Sequence, residues 1–140
     1  MSILGPSFRL IIENRTGQTI SAASAIQIKI KGWKFDTSGQ ITFQSSPTVI
    51  MNLGFVPFDN PTTVPNLSFL ASLVVENYND KYVGAEIELT VSAPASSNGN
   101  VILYLDRSID SATFSDLSLA QVLGDINFTT TATKRLVVHL

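Results

Sequence analysis

Strict alternation of apolar and polar residues limits this chain more than any other feature. In residues 25–31, AIQIKIK, Ile26, Ile28 and Ile30 fall on one side, and Gln27, Lys29 and Lys31 on the other. Residues 85–92, AEIELTVS, repeat the pattern, with Ala85, Ile87, Leu89 and Val91 against Glu86, Glu88, Thr90 and Ser92. A period of two is the geometry of a β-strand, whose successive side chains point to opposite faces. Charges confined to one face give each strand a single wet side, which is the antiparallel habit.

Further strands are expected over residues 8–13, 48–53, 69–76, 101–106, 125–130 and 134–140. Residues 33–35 and 39–43 read as a hairpin turning through Asp36, Thr37, Ser38 and Gly39. In 69–76 the alternation groups Phe69, Ala71, Leu73 and Val75. Residues 77–80, NYND, read as a turn, and 93–100, APASSNGN, as a polar hairpin or solvent loop. Gly, Asn, Asp, Ser and Pro separate nearly all of these segments. Helix is expected only over residues 115–123, with Ser115 as cap, Asp116 in the first turn and Gly124 ending it. The expected fold is all-β, a mostly antiparallel β-sandwich (jelly-roll or immunoglobulin-like) of roughly eight to ten strands. The 140 residues fit one domain, 1–140, with no internal linker to divide it. That length supports a core without disulfide or metal staples.

Two segments do not alternate. Residues 54–66 hold Pro57, Pro61 and Pro65, which break a ladder, and read as an extended contact loop. Residues 1–7 read as an N-terminal arm. Residues 8–12 and 136–140 are apolar with little charge, so they suit inner strands or edges that take a partner.

Composition narrows the function. Cysteine is absent, so there is no disulfide framework, thiolate zinc site or thiol nucleophile. A net charge of −2 gives no basic footprint for nucleic acid. Runs such as residues 20–30 are broken well short of the ~20 apolar residues of a membrane span. Residues 1–6 lack a basic region and an uninterrupted apolar run, so a secretory signal is not read there and folding in a cytoplasm is expected. The N-x-[ST] matches at Asn14, Asn66 and Asn127 are then accidental. Neither G-x-x-x-x-G-K-[ST] nor G-x-G-x-x-G occurs.

One charged cluster invites a chemical reading: Asp106, Arg107 and Asp110. On a strand, Asp106 and Arg107 point to opposite faces, and Asp110 falls in the turn beyond, so the carboxylates need not converge. Closure of a turn by Asp106 or Arg107 is the expected role. The rivals are a weak calcium site from Asp106, Asp110 and Asp116, or a glycosidase-type pair, which needs one acid in a dry pocket. His139 is the single histidine, without a G-x-S-x-G serine to serve or companions for zinc. No catalytic residue, metal or cofactor is expected, and no small-molecule substrate.

Charged residues make up only 14% of the chain, against ~25% in typical soluble domains, while 44% are hydrophobic. A surface so poor in charge is suited to burial against other subunits. The expected contact residues are Ile3 and Leu4 in the arm and Phe55, Val56 and Phe58 in the proline-rich loop. The alternative is a carbohydrate- or receptor-binding module, with Trp33, Tyr78 and Tyr82, beside Phe35, as a stacking platform. An exposed aromatic row beside Trp33 would favour that alternative, and a Trp33 buried in the core would count against it.

Residues 99–140, GNVILYLDRSIDSATFSDLSLAQVLGDINFTTTATKRLVVHL, run from a Gly-led apolar strand through a polar excursion with an aromatic to Val-Leu-Gly and a basic-started last strand. With ASLVVENYNDKYVGAEIELTVSA before it, this pattern resembles small β-sandwich structural proteins of tailed bacteriophages, over roughly residues 72–140. Where such proteins often carry Asp-Gly in the excursion, this chain has Asp110-Ser111. The resemblance implies a non-enzymatic virion protein, a head-decoration, neck or tail component. Its partners would be copies of itself and other virion proteins, bound by area and complementarity.

Overall fold

The computed structural model describes residues 4–21, 26–52, 63–108, 114 and 120–140. In chain order its strands are β1 (Ser7–Arg15), β2 (Ile20–Ser21), β3 (Ile26–Phe35), β4 (Ile41–Phe43), β5 (Thr48–Asn52) and β6 (Thr63–Val64), followed by β7 (Phe69–Ala71), β8 (Val75–Glu76), β9 (Gly84–Ala93), β10 (Gly99–Ser108), β11 (Gln121–Phe128) and β12 (Ala132–His139). There is no helix among the described residues. The all-β antiparallel expectation holds. One sheet has the order β11-β10-β1-β7, with β8 also on β1; the second has β12-β9-β3-β4, with β5 also on β3. β2 and β6 form a separate two-stranded ladder. All pairs are antiparallel.

The core lies between the two large sheets. Ile26, Ile28 and Ile30 of β3 and Ala85, Ile87, Leu89 and Val91 of β9 meet Phe8, Leu10 and Ile12 of β1 and Val101, Leu103 and Leu105 of β10 in one cluster. These are the residues that the alternation selects. β1 is an inner strand, and β12 is an edge strand of its sheet. The expected hairpin forms, with Trp33 opposite Phe43 and Phe35 opposite Ile41. The Asp36 carboxylate accepts from the Ser38 and Gln40 amides and so fixes its turn.

Each large sheet has one edge built from two short strands; the twelve strands exceed the expected eight to ten because 69–76 splits into β7 and β8 and because β2 and β6 add a ladder of their own. On β1 the interruption is chemical. The Leu10 amide donates to Ser72 Oγ (2.9 Å), while the Ser72 amide donates to the Leu10 carbonyl (2.8 Å). The hydroxyl replaces a backbone acceptor, and the chain leaves the ladder over the next residues. This corrects the continuous strand over 69–76. Leu70, not Phe69, faces the core beside Ile12, and past the break Val75 takes the core side opposite Phe8.

Other expectations change as well. Residues 121–123 are not helical: Gln121 and Val122 pair with Leu105 and Tyr104 in β11, and Leu123 is the extra residue of a bulge. The open flank of β10 satisfies their backbone better than a short helix would. Gly124 lies inside the strand, with Leu136 packed where its side chain would be. Residues 115–119 lie outside the described residues. In the proline-rich loop, Thr63 and Val64 pair with Ser21 and Ile20 rather than running free. In the arm, Ser7 already belongs to β1 and Leu4 is part of the core.

Candidate interaction surface

β3 carries the signal. Its apolar residues occupy even positions through Ile30 and odd positions at Trp33 and Phe35. The ladder to β9 runs without a shift from Ile26–Val91 to Trp33–Gly84. The backbone therefore keeps its phase while the sequence inverts its own, and the last two aromatics turn away from the core. Gly32 is the pivot. On its core side lies the Tyr82 ring, within 2.5 Å of where a Cβ would stand.

On the outer face, Trp33, Phe35, Ile41 and Phe43 form a row across the β3–β4 hairpin. Phe35, Ile41 and Phe43 are 53%, 55% and 48% exposed. Trp33 is half-buried. Its indole lies over Gly84, where a Cβ would come within 2.6 Å of Nε1, and Nε1 donates to the Leu140 carbonyl at 2.7 Å. Its ring meets Phe35 edge-on, 5.6 Å between centroids at 85°. Lys31 Nζ stands 5.8 Å from the Phe43 ring. Further across the same face, Arg135 pairs with Glu88 and His139 Nδ1 lies 3.5 Å from Glu86.

The outer face of the other sheet also exposes apolar groups, Phe69 at 46% and Val122 at 59%, and differs in hiding polar ones. Asp106 is fully buried there and accepts from Arg9 Nε at 3.0 Å. Phe114, on the connection between β10 and β11, brings its ring to 4.2 Å from the Arg9 guanidinium carbon. Glu13, also buried, accepts from the Tyr104 hydroxyl at 2.7 Å and pairs with Arg15. Burial pushes the Tyr104 phenol up, and its bond to Glu13 adds to the rise.

The charged cluster thus comes apart. Asp106 is held by Arg9 across the ladder, and Arg107 reaches the Gln121 side chain at 2.9 Å. Asp110 and Asp116 lie outside the described residues. Among the described residues there is no group of three or more His, Cys, Asp or Glu side chains able to hold a metal. His139 is exposed and faces Glu86. Asn14 is fully buried; its amide donates to the Gln18 and Val64 carbonyls, and its oxygen accepts from the amide and hydroxyl of Thr16.

The expected contact and stacking residues are scattered. Leu4, 1% exposed, is packed in the core and is no surface contact. Ile3, Phe55, Val56 and Phe58 lie outside the described residues. Trp33 and Tyr82 lie on opposite faces of β3, so they share no platform; Tyr82 instead takes Lys34 Nζ at 5.4 Å from its ring centre. Tyr78 is exposed in the 77–80 turn, which Asn77 holds through bonds to Gly5 and Tyr82. An aromatic row does stand beside Trp33, made of the expected Phe35 together with Phe43, and it is the feature that favours the carbohydrate- or receptor-binding alternative. Ile41 and Phe43 were legible only through the phase inversion at Gly32. A cleft of about 280 Å³ also opens between the sheets, lined mainly by apolar groups such as Phe8, Ile30, Val49 and Leu73. No protein-family model, no curated protein and no solved structure matches the chain.

Proposed function

We propose that this chain is a non-enzymatic structural protein of a bacteriophage virion, a head-decoration, neck or tail component that acts by assembling with itself and with other virion proteins. The observation that carries the assembly reading is the outer row of Phe35, Ile41 and Phe43, large apolar side chains left about half exposed on a rigid ladder. Contiguous apolar surface of this kind marks an interaction site. Covering it gains roughly 25 cal/mol per Å² removed from water. The virion assignment rests on the resemblance of residues 72–140.

The same row supports a second reading, a carbohydrate- or receptor-binding module. Two features favour assembly. The Trp33 and Phe35 rings meet edge-on instead of presenting one flat platform. Opposite Phe35 the patch is completed by the aliphatic Ile41, which offers no ring to stack on.

Sedimentation velocity over a dilution series tests this. The wild type should associate with rising concentration, and the Phe35→Ser/Phe43→Ser double variant should lose that association with its circular dichroism unchanged. Identical mass profiles would remove the row from the interface. A monomer at every concentration that binds a glycan array would establish the second reading. Co-purification with intact virions tests the particle assignment, and absence from the particle fraction would overturn it.

A further inference from the structure

The edge of β4 differs from the other sheet edges among the described residues. β5, on the same side of β3, is covered: Ile50 and Met51 are buried, and the Leu73 amide donates to the Ile50 carbonyl at 3.1 Å. β7 and β8 are broken at Ser72, β11 carries Asp125 and a bulge, and β12 carries Lys134, Arg135 and His139. Such breaks, bulges and charges are the devices that stop edges from pairing. β4 has none of them, and only its shortness limits pairing. Its three residues are all exposed, and its only partner among the described strands is β3.

The hydrogen-bond phase of β4 is fixed by its neighbours. The Asp36 amide donates to the Gln40 carbonyl and the Gln44 amide to the Gly32 carbonyl. Bonded pairs alternate along an antiparallel ladder, so Thr42 exchanges its backbone bonds with Lys34. The amides and carbonyls of Ile41 and Phe43 therefore point away from β3, out of the open edge.

The geometry points to a second copy of this chain as the occupant. Its own β4 docks antiparallel on this edge, with a two-fold axis at Thr42. Ile41 then faces the partner's Phe43, and Phe43 faces the partner's Ile41. Each pair exchanges two backbone hydrogen bonds, four in all, and every outward group of both strands is used. A two-fold contact sets each surface against its own copy, so it tolerates no uncompensated charge. Residues 37–58 contain no charged residue, and the edge meets that condition. Joining the two edges also makes the apolar rows of both hairpins continuous on one face. This names the partner within the assembly reading above and rests on it.

A single thiol tests the register, because the chain has no cysteine of its own. In this pairing the two Thr42 residues form a non-hydrogen-bonded pair with Cα atoms about 4.5 Å apart, within reach of a disulfide. Thr42→Cys should give a disulfide-linked dimer under mild oxidation at least about tenfold faster than Ser38→Cys, through its higher effective concentration. Ser38 is exposed on the same hairpin but lies away from the axis. Adding Phe43→Lys to Thr42→Cys should bring the rate down to that of Ser38→Cys. Equal rates for the two single variants, with a wild type that still sediments as an oligomer, would overturn this ladder and leave the assembly reading standing. Equal rates with a wild type that stays monomeric would overturn both this ladder and self-assembly.

Discussion

The two outer faces of this sandwich invert the usual rule, each in its own direction. The face of the β1 sheet hides polar groups: Asp106 under Arg9 and Phe114, and Glu13 under Tyr104 and Arg15. The face of the β3 sheet shows apolar groups, Phe35, Ile41, Phe43 and Val137. Both faces depart from the wet, charged exterior of a half-buried sheet. On the first, Phe69 and Val122 stay exposed, but Asp106 and Glu13 are covered by their own chain, so these carboxylates must find partners inside the molecule. The second has no such cover among the described residues, and Phe35, Ile41, Phe43 and Val137 stay 44–55% exposed. Buried polar groups are read from their hydrogen bonds; the proposed contact face is read from its exposed rings.

Arg9→Met strikes the covered face hardest. It leaves the Asp106 carboxylate buried without its guanidinium, and removing one member of a buried pair costs about 3 kcal/mol. Urea denaturation should report a loss of that order. A loss below about 1 kcal/mol would show that the pair does not hold this face together.

Gly84→Ala probes the other face. A methyl group there would come within 2.2 Å of the Leu140 carbonyl and 2.6 Å of the Trp33 indole nitrogen. The indole must lift from its bed, at a cost of about 2 kcal/mol for an overpacked site. Trp33 is the only tryptophan, so its emission should shift to the red as water reaches the ring. Unchanged emission and stability would show that Trp33 does not depend on Gly84 for its seat.

The smallest effect is expected at alkaline pH. The folded protein raises the Tyr104 phenol above its ordinary value, first by burial and then through Glu13, with Arg15 opposing. A phenol whose proton is held more tightly in the folded state adds stability that is full below the unfolded value near 10 and is lost as pH rises through the folded one. Between about pH 9 and about pH 11 the wild type should lose more stability than Tyr104→Phe. At neutral pH that variant should cost about 1 kcal/mol, the worth of one hydrogen bond. Parallel pH profiles would separate Tyr104 from the buried network. Tyr82, also raised by burial, is common to both proteins and cancels.

Most of the fold was legible because the long strands follow the period of two. β3, β9 and β10 bury the residues that their alternation selects. Legibility fails where side chains replace backbone partners. Ser72 ends β7 with a hydroxyl, and nothing in LASLVVE distinguishes that serine from one on a wet face. It fails again at Gln121 and Val122, where the open flank of β10 decides against helix. The surface was half legible. The neutral composition called for a partner, and of the contact residues expected from it Leu4 is buried in the core while Ile3, Phe55, Val56 and Phe58 lie outside the described residues. The exposed row of the hairpin shows in the sequence as the inverted phase after Gly32.

The pairing of β1 has a mechanical consequence. From Ser7 to Arg15 it is zipped residue by residue to β10, and its other side is held by β7 and β8. Tension along β1 therefore loads the whole ladder in shear, and its bonds must fail together instead of peeling one at a time. Resistance to such force depends on the unfolding rate and not on equilibrium stability. Under the proposed virion role, stiffness under load would be a property of this central strand.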